Sequence, residues 1–184
     1  MMFHEKCRSF CNWRYRNRQF ASVPLYRFGD GRGFAAFAYS GLTVSPAAPR
    51  VCDDLTVTVS VTNAGAVAAD EVVQVYSRCP CKHARQCETG TCTSAAFSTP
   101  PSTALIGFAR QTIPGGGKPE TMKIVIPAKT LAGFREADMV EVLRPGRLWL
   151  TVGGAQLDSG TAGEVMQARL NVTGAETPLS ACGP

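Results

Sequence analysis

The sequence predicts an all-β fold, a two-sheet β-sandwich with about seven strands. The first observation is the run from residue 55 to residue 62, where valine or leucine alternates with threonine or serine, as a half-buried strand requires. The second is the Asn63-Ala64-Gly65 turn, which is followed by another β-branched run from residue 71. The third is composition, because 18 glycines and 12 prolines in 184 residues favour a turn-rich β protein over a helical one. Each alternating strand needs a second apolar face to cover it, so two packed sheets follow.

Seven segments have the patterning of strands. They are residues 34–44, 55–62, 72–77, 104–112, 122–126, 148–152 and 165–172. The compositions of residues 114–117 and 144–146 predict turns, and residues 130–136 predict a short helical turn. We expect the core to contain Leu55, Val57, Val59, Val61, Val72 or Val73, Val75 or Tyr76, Ile124, Leu148 or Trp149, and Leu150.

The overall composition fits one modest domain. With 45% hydrophobic and 18% charged residues, 184 residues are enough to bury a substantial core. No stretch approaches the roughly 18 to 20 consecutive apolar residues that a membrane-spanning helix needs. We therefore expect a soluble protein with no membrane partner.

Four blocks of sequence occur in a recognisable order between residues 20 and 158. They are PLYRFGDGRGFAAFAYS at 24–40, the strand-turn-strand run at 54–76, LIGFAR at 105–110, and LRPG followed by WLTVG at 143–153. In this combination they resemble the fibronectin type III-like domain that ends the glycosidases of glycoside hydrolase family 3. The resemblance implies a fibronectin type III or immunoglobulin-like sandwich.

The resemblance also implies a division of the chain. Residues 1–23 would form a basic, aromatic N-terminal segment, the stub of an upstream domain or a tail. Residues 24–173 would form the fibronectin type III-like domain, with a cysteine-rich insertion at 78–101, and residues 174–184 a C-terminal tail.

The function that the resemblance implies is structural. Such a domain is a non-catalytic accessory domain that buttresses a glycosidase catalytic domain, in cis or in trans, and here the motifs are closest to the β-xylosidase-like branch. The alternative is a stand-alone module that binds carbohydrate or protein through exposed aromatic residues. A polysaccharide therefore remains a second possible partner.

The N-terminal segment is strongly basic. Its first 32 residues hold seven lysines or arginines and only two acidic residues, interleaved with aromatic residues, within a chain of net charge +5. This pattern can indicate nucleic-acid contact, but the resemblance implies packing against a neighbouring catalytic domain, and we expect no nucleic-acid partner. The side chains expected to pack there are Trp13, Tyr15, Leu25, Tyr26, Phe28 and Phe34.

The first ten residues are too polar for the 7- to 15-residue apolar region of a secretory signal. Relatives of this kind are commonly secreted or vacuolar. Two explanations stay open: a truncated or fragmentary sequence whose upstream domains are missing, which we favour, or a cytosolic stand-alone module. The resemblance favours an extracellular location.

The cysteine-rich insertion has three possible interpretations: disulfides, unpaired thiols or a metal site. Its thiols are Cys79, Cys81, Cys87 and Cys92, with His83 among them. Four thiols and an imidazole could hold zinc in a tetrahedral site, yet the paired Cys-x2-Cys spacing of structural zinc modules is missing. We expect disulfides rather than unpaired thiols or a metal. The remaining cysteines, Cys7, Cys11, Cys52 and Cys182, bring the total to eight, an even number that permits full pairing.

No catalytic constellation is recognisable. Retaining glycosidases use two carboxylates about 5 to 5.5 Å apart, and the resemblance places both of them on upstream domains. The acidic pairs Asp53-Asp54 and Asp70-Glu71 stand at strand or hairpin ends, where solvated turn carboxylates are expected. We predict no catalytic residue, no cofactor and no metal in this chain.

One motif predicts a modification. Asn171-Val172-Thr173 is an N-glycosylation sequon if the chain enters the secretory route. The alternation of residues 165–172 points Asn171 away from the apolar face.

Overall fold

Ten strands and two short 3-10 helices make up the part of the chain that the computed structural model describes, which is residues 35–78, 103–135, 138–155 and 165–183. The strands are β1 (Phe37–Ser45), β2 (Leu55–Asn63), β3 (Ala69–Arg78), β4 (Thr103–Ile113), β5 (Pro119–Ile126), β6 (Gly133–Arg135), β7 (Val140–Leu143), β8 (Gly146–Gly153), β9 (Val165–Val172) and β10 (Thr177–Pro178). The 3-10 helices are Ala128–Leu131 and Leu179–Ala181.

The strands form two main sheets and one small sheet. The three-stranded sheet has the order β1-β2-β5, and the four-stranded sheet has the order β4-β3-β8-β9. Both are antiparallel throughout. The small sheet, β10-β7-β6, lies near the chain's C-terminal end. The all-β sandwich that the sequence predicted is confirmed.

A single apolar cluster fills the space between the two main sheets. Strand β2 shows the reason, because its burial alternates residue by residue and its leucine and valines are at most 1% exposed. The hydroxyl-bearing residues between them form the outer face of that sheet. The buried members of the cluster are Leu55, Val57, Val59, Val61, Val73, Val75, Ile106, Ile113, Met122, Ile124, Ile126, Leu150 and Val152.

Two alternatives in the predicted core are now resolved. Val73 is fully buried and its neighbour Val72 is exposed. This identifies the side of β3 that faces the core, which the sequence left open. In β8, Leu148 packs against the core, whereas Trp149 lies on the opposite face and is only half buried. Leu148 is therefore the core residue of the two alternatives, because consecutive strand residues point to opposite faces of the sheet and Leu148 and Leu150 take the inner one.

The predicted strands all occur, with boundaries shifted by a few residues. The predicted helical turn at 130–136 was misplaced: the 3-10 helix covers Ala128–Leu131, and Gly133–Arg135 is the short strand β6. Strands β6, β7 and β10 have between two and four residues each. Such segments are too short to show a period in the sequence.

The turn after β2 is built around a buried polar side chain. Asn63 is fully buried, and its side-chain amide donates to the carbonyl oxygens of Val67 at 2.8 Å and Ile113 at 3.2 Å. Its side-chain oxygen accepts the backbone N–H of Gly65 at 2.9 Å. Burying an amide without partners is costly, and here the hydrogen bonds that offset that cost connect the end of β2 to the end of β4.

The C-terminal segment is attached to the sandwich rather than hanging free of it. The backbone N–H groups of Val51 and Thr173 donate to the carbonyls of Thr173 and Pro49 at 2.8 and 2.9 Å, respectively. Strand β10 then pairs with β7, and a disulfide joins Cys182 to Cys52. Residues 174–183, set apart above as a tail, therefore carry a strand, a 3-10 helix and a crosslink.

Candidate functional site

Six of the acidic residues that the structure describes take part in a local structural contact. Asp53 accepts the backbone N–H of Arg50 at 2.7 Å, and Asp54 accepts that of Ala128 at 2.8 Å, at the first residue of a 3-10 helix. Asp70 accepts hydrogen bonds from Arg110 and from Thr112, the residue that it faces on β4. These contacts stabilise turns and strand ends, which matches the expectation for Asp53-Asp54.

Two arginines hold the C-terminal segment through its acidic residue. Arg135 donates to Glu176 at 2.8 Å and also binds Asp138, while Arg144 donates to Glu176 at 3.0 Å. The hydrogen bond from Arg144 lowers the pKa of the Glu176 carboxyl, and the bond from Arg135 lowers the pKa of Asp138. The network joins β6, the β6–β7 connection and the segment before β10, so its role is to fix the small sheet.

Glu71 differs from the other acids. Its side chain is half buried and accepts a hydrogen bond from the hydroxyl of Tyr39, so it bridges β3 of one main sheet to β1 of the other. A Cβ atom placed on Gly154 would lie 2.7 Å from the same carboxylate oxygen. Burial raises the pKa of Glu71 above its usual range, although the Tyr39 hydrogen bond opposes the shift. The sequence had predicted a solvated carboxylate here.

The burial of Glu71 makes a pH-dependent prediction. Because its pKa is raised in the folded chain, the ionised carboxylate opposes folding above that pKa, and protonation as the pH falls relieves the penalty. We expect Glu71→Gln to unfold at a higher denaturant concentration than the wild type near neutral pH. The margin should shrink as the pH falls through the raised pKa, because protonated glutamic acid and glutamine are both neutral.

The measurement is urea unfolding of both proteins over a series of pH values. Asp70, Asp138 and Glu176 have lowered pKa values, so their contributions to stability are lost as the pH falls. They are present in both proteins, so these losses cancel in the difference in stability between Glu71→Gln and the wild type. A margin that is constant across the pH series would show that Glu71 does not titrate as described.

The outer face of the four-stranded sheet carries an apolar patch, which we define as Val72, Leu105 and Phe108. These side chains are 38%, 44% and 67% exposed. Residues that face each other across an antiparallel pair share a side of the sheet, and Phe108 faces Gln74 while Leu105 faces Tyr76. Val73 and Val75 point into the core, so the patch points outward. Phe108 and Leu105 lie on β4, the edge strand.

Polar contacts organise the sheet beneath this patch. The Tyr76 hydroxyl donates to the side-chain oxygen of Gln74 at 2.5 Å, and the Gln74 amide donates to the carbonyl of Gly154 at 2.9 Å. Tyr76 is 2% exposed, and burial raises the pKa of its hydroxyl. The middle of the outer face is therefore fixed in position, which gives the exposed apolar groups on β4 a rigid support.

Trp149 occupies the same outer face, two strands away from β4. The Arg169 guanidinium lies over its ring, 4.6 Å from the ring centroid, and the two residues face each other across the β8–β9 pair. A cation in this position is attracted by the face of the indole. One face of the ring is thus occupied from within the chain and is not open for stacking on a sugar.

The residues proposed for interdomain packing lie outside the described part of the chain. They are Trp13, Tyr15, Leu25, Tyr26, Phe28 and Phe34. The same is true of Cys79, Cys81, Cys87 and Cys92. Asn171 is described, and it is exposed on β9. These packing and disulfide assignments therefore stay predictions.

The exposed patch was missed as a site, although its signal was present. Leu105, Gly107, Phe108 and Arg110 form the LIGFAR block, which sequence reasoning used only to recognise a family. The structure shows that Gly107 faces the core, where an added Cβ would lie 3.2 Å from Ile124. Phe108 instead points to solvent, so core packing does not explain it.

Neither a cluster of metal-binding side chains nor a membrane-spanning helix occurs in the described ranges. In these ranges, no group of three or more histidine, cysteine, aspartate or glutamate residues could hold a metal ion. The described ranges also contain no helix long and apolar enough to cross a membrane.

Comparison with known proteins places this sandwich among glycosidase-related domains. No family model matches the sequence. A 58-residue stretch is 43% identical to the probable β-glucosidase I of Aspergillus fumigatus, covering 29% of this chain and 7% of the fungal protein. The described fold is similar to β-glucosidase 3B of Thermotoga neapolitana, with a TM-score of 0.64 and 25% identity over 90% of this chain and 19% of that one.

A second solved structure of similar fold comes from glycoside hydrolase family 3. The family 3 β-glucosidase of Bifidobacterium adolescentis matches 87% of this chain with a TM-score of 0.65 and 24% identity, over 20% of its own length. The chain therefore has the fold of one part of these β-glucosidases and shares a short stretch of sequence with the fungal one, in agreement with the resemblance that the sequence motifs carry. It spans about a fifth of the length of these solved enzymes and 7% of the fungal relative.

Proposed function

We propose that the chain is a non-catalytic accessory domain that packs against the catalytic part of a family 3 glycosidase, as the fibronectin type III-like domain does in the family it resembles. The observation that carries the proposal is the outward-facing apolar patch on β4, at a motif that the family resemblance had already singled out. An exposed phenylalanine on an edge strand is a poor surface for an isolated chain, and a neighbouring domain would cover it.

The chemistry of the described acids supports the non-catalytic part of the proposal. A glycosidase needs one carboxylate free to attack or to activate water and a second one that holds a proton. Asp53, Asp54 and Asp70 are engaged with backbone N–H groups or an arginine. Glu71 is bonded to a tyrosine between the two sheets. None of these four has a second carboxylate among its hydrogen-bond partners.

The kind of enzyme proposed as the partner follows from the comparisons. The relatives found are β-glucosidases, so we propose a β-glucosidase-type catalytic domain, in place of the β-xylosidase-like branch expected from the motifs alone.

The test is a chimera, in which this chain replaces the matching region of the Aspergillus fumigatus β-glucosidase. We expect the chimera to hydrolyse an aryl glucoside and the isolated chain to leave it uncut. Phe108→Ser should shorten the half-life of the chimera on heating, because it removes the apolar contact, and should leave the unfolding midpoint of the isolated chain nearly unchanged, because Phe108 is exposed there.

Val125→Ser is the matched control for Phe108→Ser. Val125 is 60% exposed and lies on the outer face of the other main sheet, so its replacement should affect neither protein. Equal effects of the two substitutions on the chimera would reject the patch as the docking surface. Turnover by the isolated chain that is lost on replacing Asp138 or Glu141 would reject the non-catalytic assignment, and an inactive wild-type chimera would reject the buttressing role.

A further inference from the structure

We propose that Asn171 is an N-glycosylation site, occupied when the chain matures in the secretory pathway. The sequence contains four asparagines, and only Asn171 is followed by any residue and then serine or threonine. Enzymatic attachment requires this triplet with no proline at its centre, and Val172 meets that condition. The sequence alone leaves the motif as a three-residue coincidence, and two features of the structure argue otherwise.

The first feature is the position of the side chain. On β9 the inner positions Met166, Ala168 and Leu170 pack against the core, and Asn171 lies exposed on the outer face. Thr173 and the residues directly after it are exposed as well. An oligosaccharide is added before the chain folds, so the folded sandwich has only to leave room for it. At Asn171 it would project into solvent without displacing a core residue.

The second feature is the disulfide between Cys52 and Cys182. Disulfides form and persist in oxidising compartments such as the lumen of the endoplasmic reticulum and the extracellular space. N-glycosylation takes place on the same route. The crosslink and the sequon involve different residues, so the crosslink is an independent indication of the compartment that the modification requires.

The location also suggests what the oligosaccharide does. Strand β9 is an edge of the four-stranded sheet, and an edge with free backbone groups invites pairing with another chain. A bulky polar group there would block such pairing. Leu105 and Phe108 of the apolar patch lie on β4 at the opposite edge, three strand spacings or about 14 Å away. An oligosaccharide on Asn171 and a partner on β4 can therefore be accommodated together.

The test is expression of the full chain behind a secretory leader in a eukaryotic host. Intact mass is measured before and after treatment with an endoglycosidase that removes N-linked oligosaccharides, on the secreted protein and on protein retained inside the secretory pathway. We expect one endoglycosidase-sensitive oligosaccharide per chain. Asn171→Gln and Thr173→Ala should abolish it, whereas Thr173→Ser, which keeps the triplet, should retain it.

The proposal is overturned if the wild-type chain recovered from the secretory pathway has the same mass before and after the endoglycosidase. It is also overturned if Asn171→Gln still loses mass on treatment. Because retained protein is examined as well, a variant that folds poorly still reports whether the oligosaccharide was attached. The result does not depend on the glycosidase chimera, so the two proposals can fail separately.

Discussion

Val59→Asp is expected to abolish the folded state. Val59 is fully buried at the centre of β2, within the cluster that joins the two main sheets. An ionised carboxylate there would have no partner, and burying an unpaired charge costs several kcal/mol. Domains of this size have a total stability of about 5 to 15 kcal/mol, so the substitution removes much or all of it. Circular dichroism should show loss of the β spectrum, and urea should produce no cooperative transition.

The adjacent residue provides the control for Val59→Asp. Thr58 lies on the outer face of the same strand and faces Lys123 of β5 across the antiparallel pair. Thr58→Asp introduces the same charge one residue away, where a lysine can pair with it, and should change the unfolding midpoint little. If Val59→Asp unfolds cooperatively at the same urea concentration as the wild type, the assignment of Val59 to the core is contradicted.

The alternation of β2 made this core predictable. Four inner residues separated by hydroxyl-bearing residues fix both the strand and its buried face, because a strand has a period of two. In β3, Val72 and Val73 are adjacent, so the sequence does not show which of the two faces the core. Val75 packs in the core, Tyr76 is buried on the opposite face beside Gln74, and the pairing with β4 is irregular between these two residues. A strand's own sequence does not show where its partner interrupts the register.

Trp149 and Glu71 show a second limit. In β8 the consecutive residues Leu148, Trp149 and Leu150 are all apolar, so hydrophobicity does not distinguish the two faces. In the fold, Trp149 lies on the outer face under Arg169 of the neighbouring strand. Glu71 looked like a turn carboxylate because it follows Asp70 at a hairpin end. Its half-buried state depends on Tyr39, 32 residues earlier and on the other sheet. Both outcomes depend on tertiary contacts.

The exposed patch was only partly predictable. The motif at residues 105–110 was recognisable, but whether Phe108 was buried depended on where the β4 register placed Gly107. With Gly107 against Ile124, the phenylalanine faces outward. The family resemblance identified the right segment, and the pairing register assigned it a surface role.

Removal of the disulfide between Cys52 and Cys182 is expected to have the second largest effect. The two cysteines are 130 residues apart in the sequence, and their Cα atoms are 5.4 Å apart in the fold. With eight cysteines, 105 complete pairings are possible, so the sequence could not identify this one. Closing so long a loop restricts the unfolded chain, which stabilises the fold by up to about 5 kcal/mol in the chain-entropy description, and losses of about 2 to 5 kcal/mol are typical.

The double variant Cys52→Ser/Cys182→Ser should therefore unfold at a markedly lower urea concentration than the oxidised wild type. The contacts beside the crosslink should weaken first, since Thr173 bonds to Pro49 and Val51 there. Faster hydrogen exchange at residues 173–183 would report this local loosening. A matched variant, Cys52→Gly/Cys182→Ser, separates the crosslink from the backbone: Cys52 has a φ of 78°, a region that glycine adopts readily and serine does not.

We expect the glycine variant to be more stable than the serine variant, by up to about 1 kcal/mol, with both well below the wild type. Adding a reductant should lower the unfolding midpoint of the wild type towards the midpoints of the two variants. The difference in midpoint between the two variants should stay unchanged. If the oxidised wild type and the serine variant unfold at the same urea concentration, the crosslink contributes nothing to stability. In that case the attachment of the C-terminal segment rests on strand pairing and on the two arginines that hold Glu176.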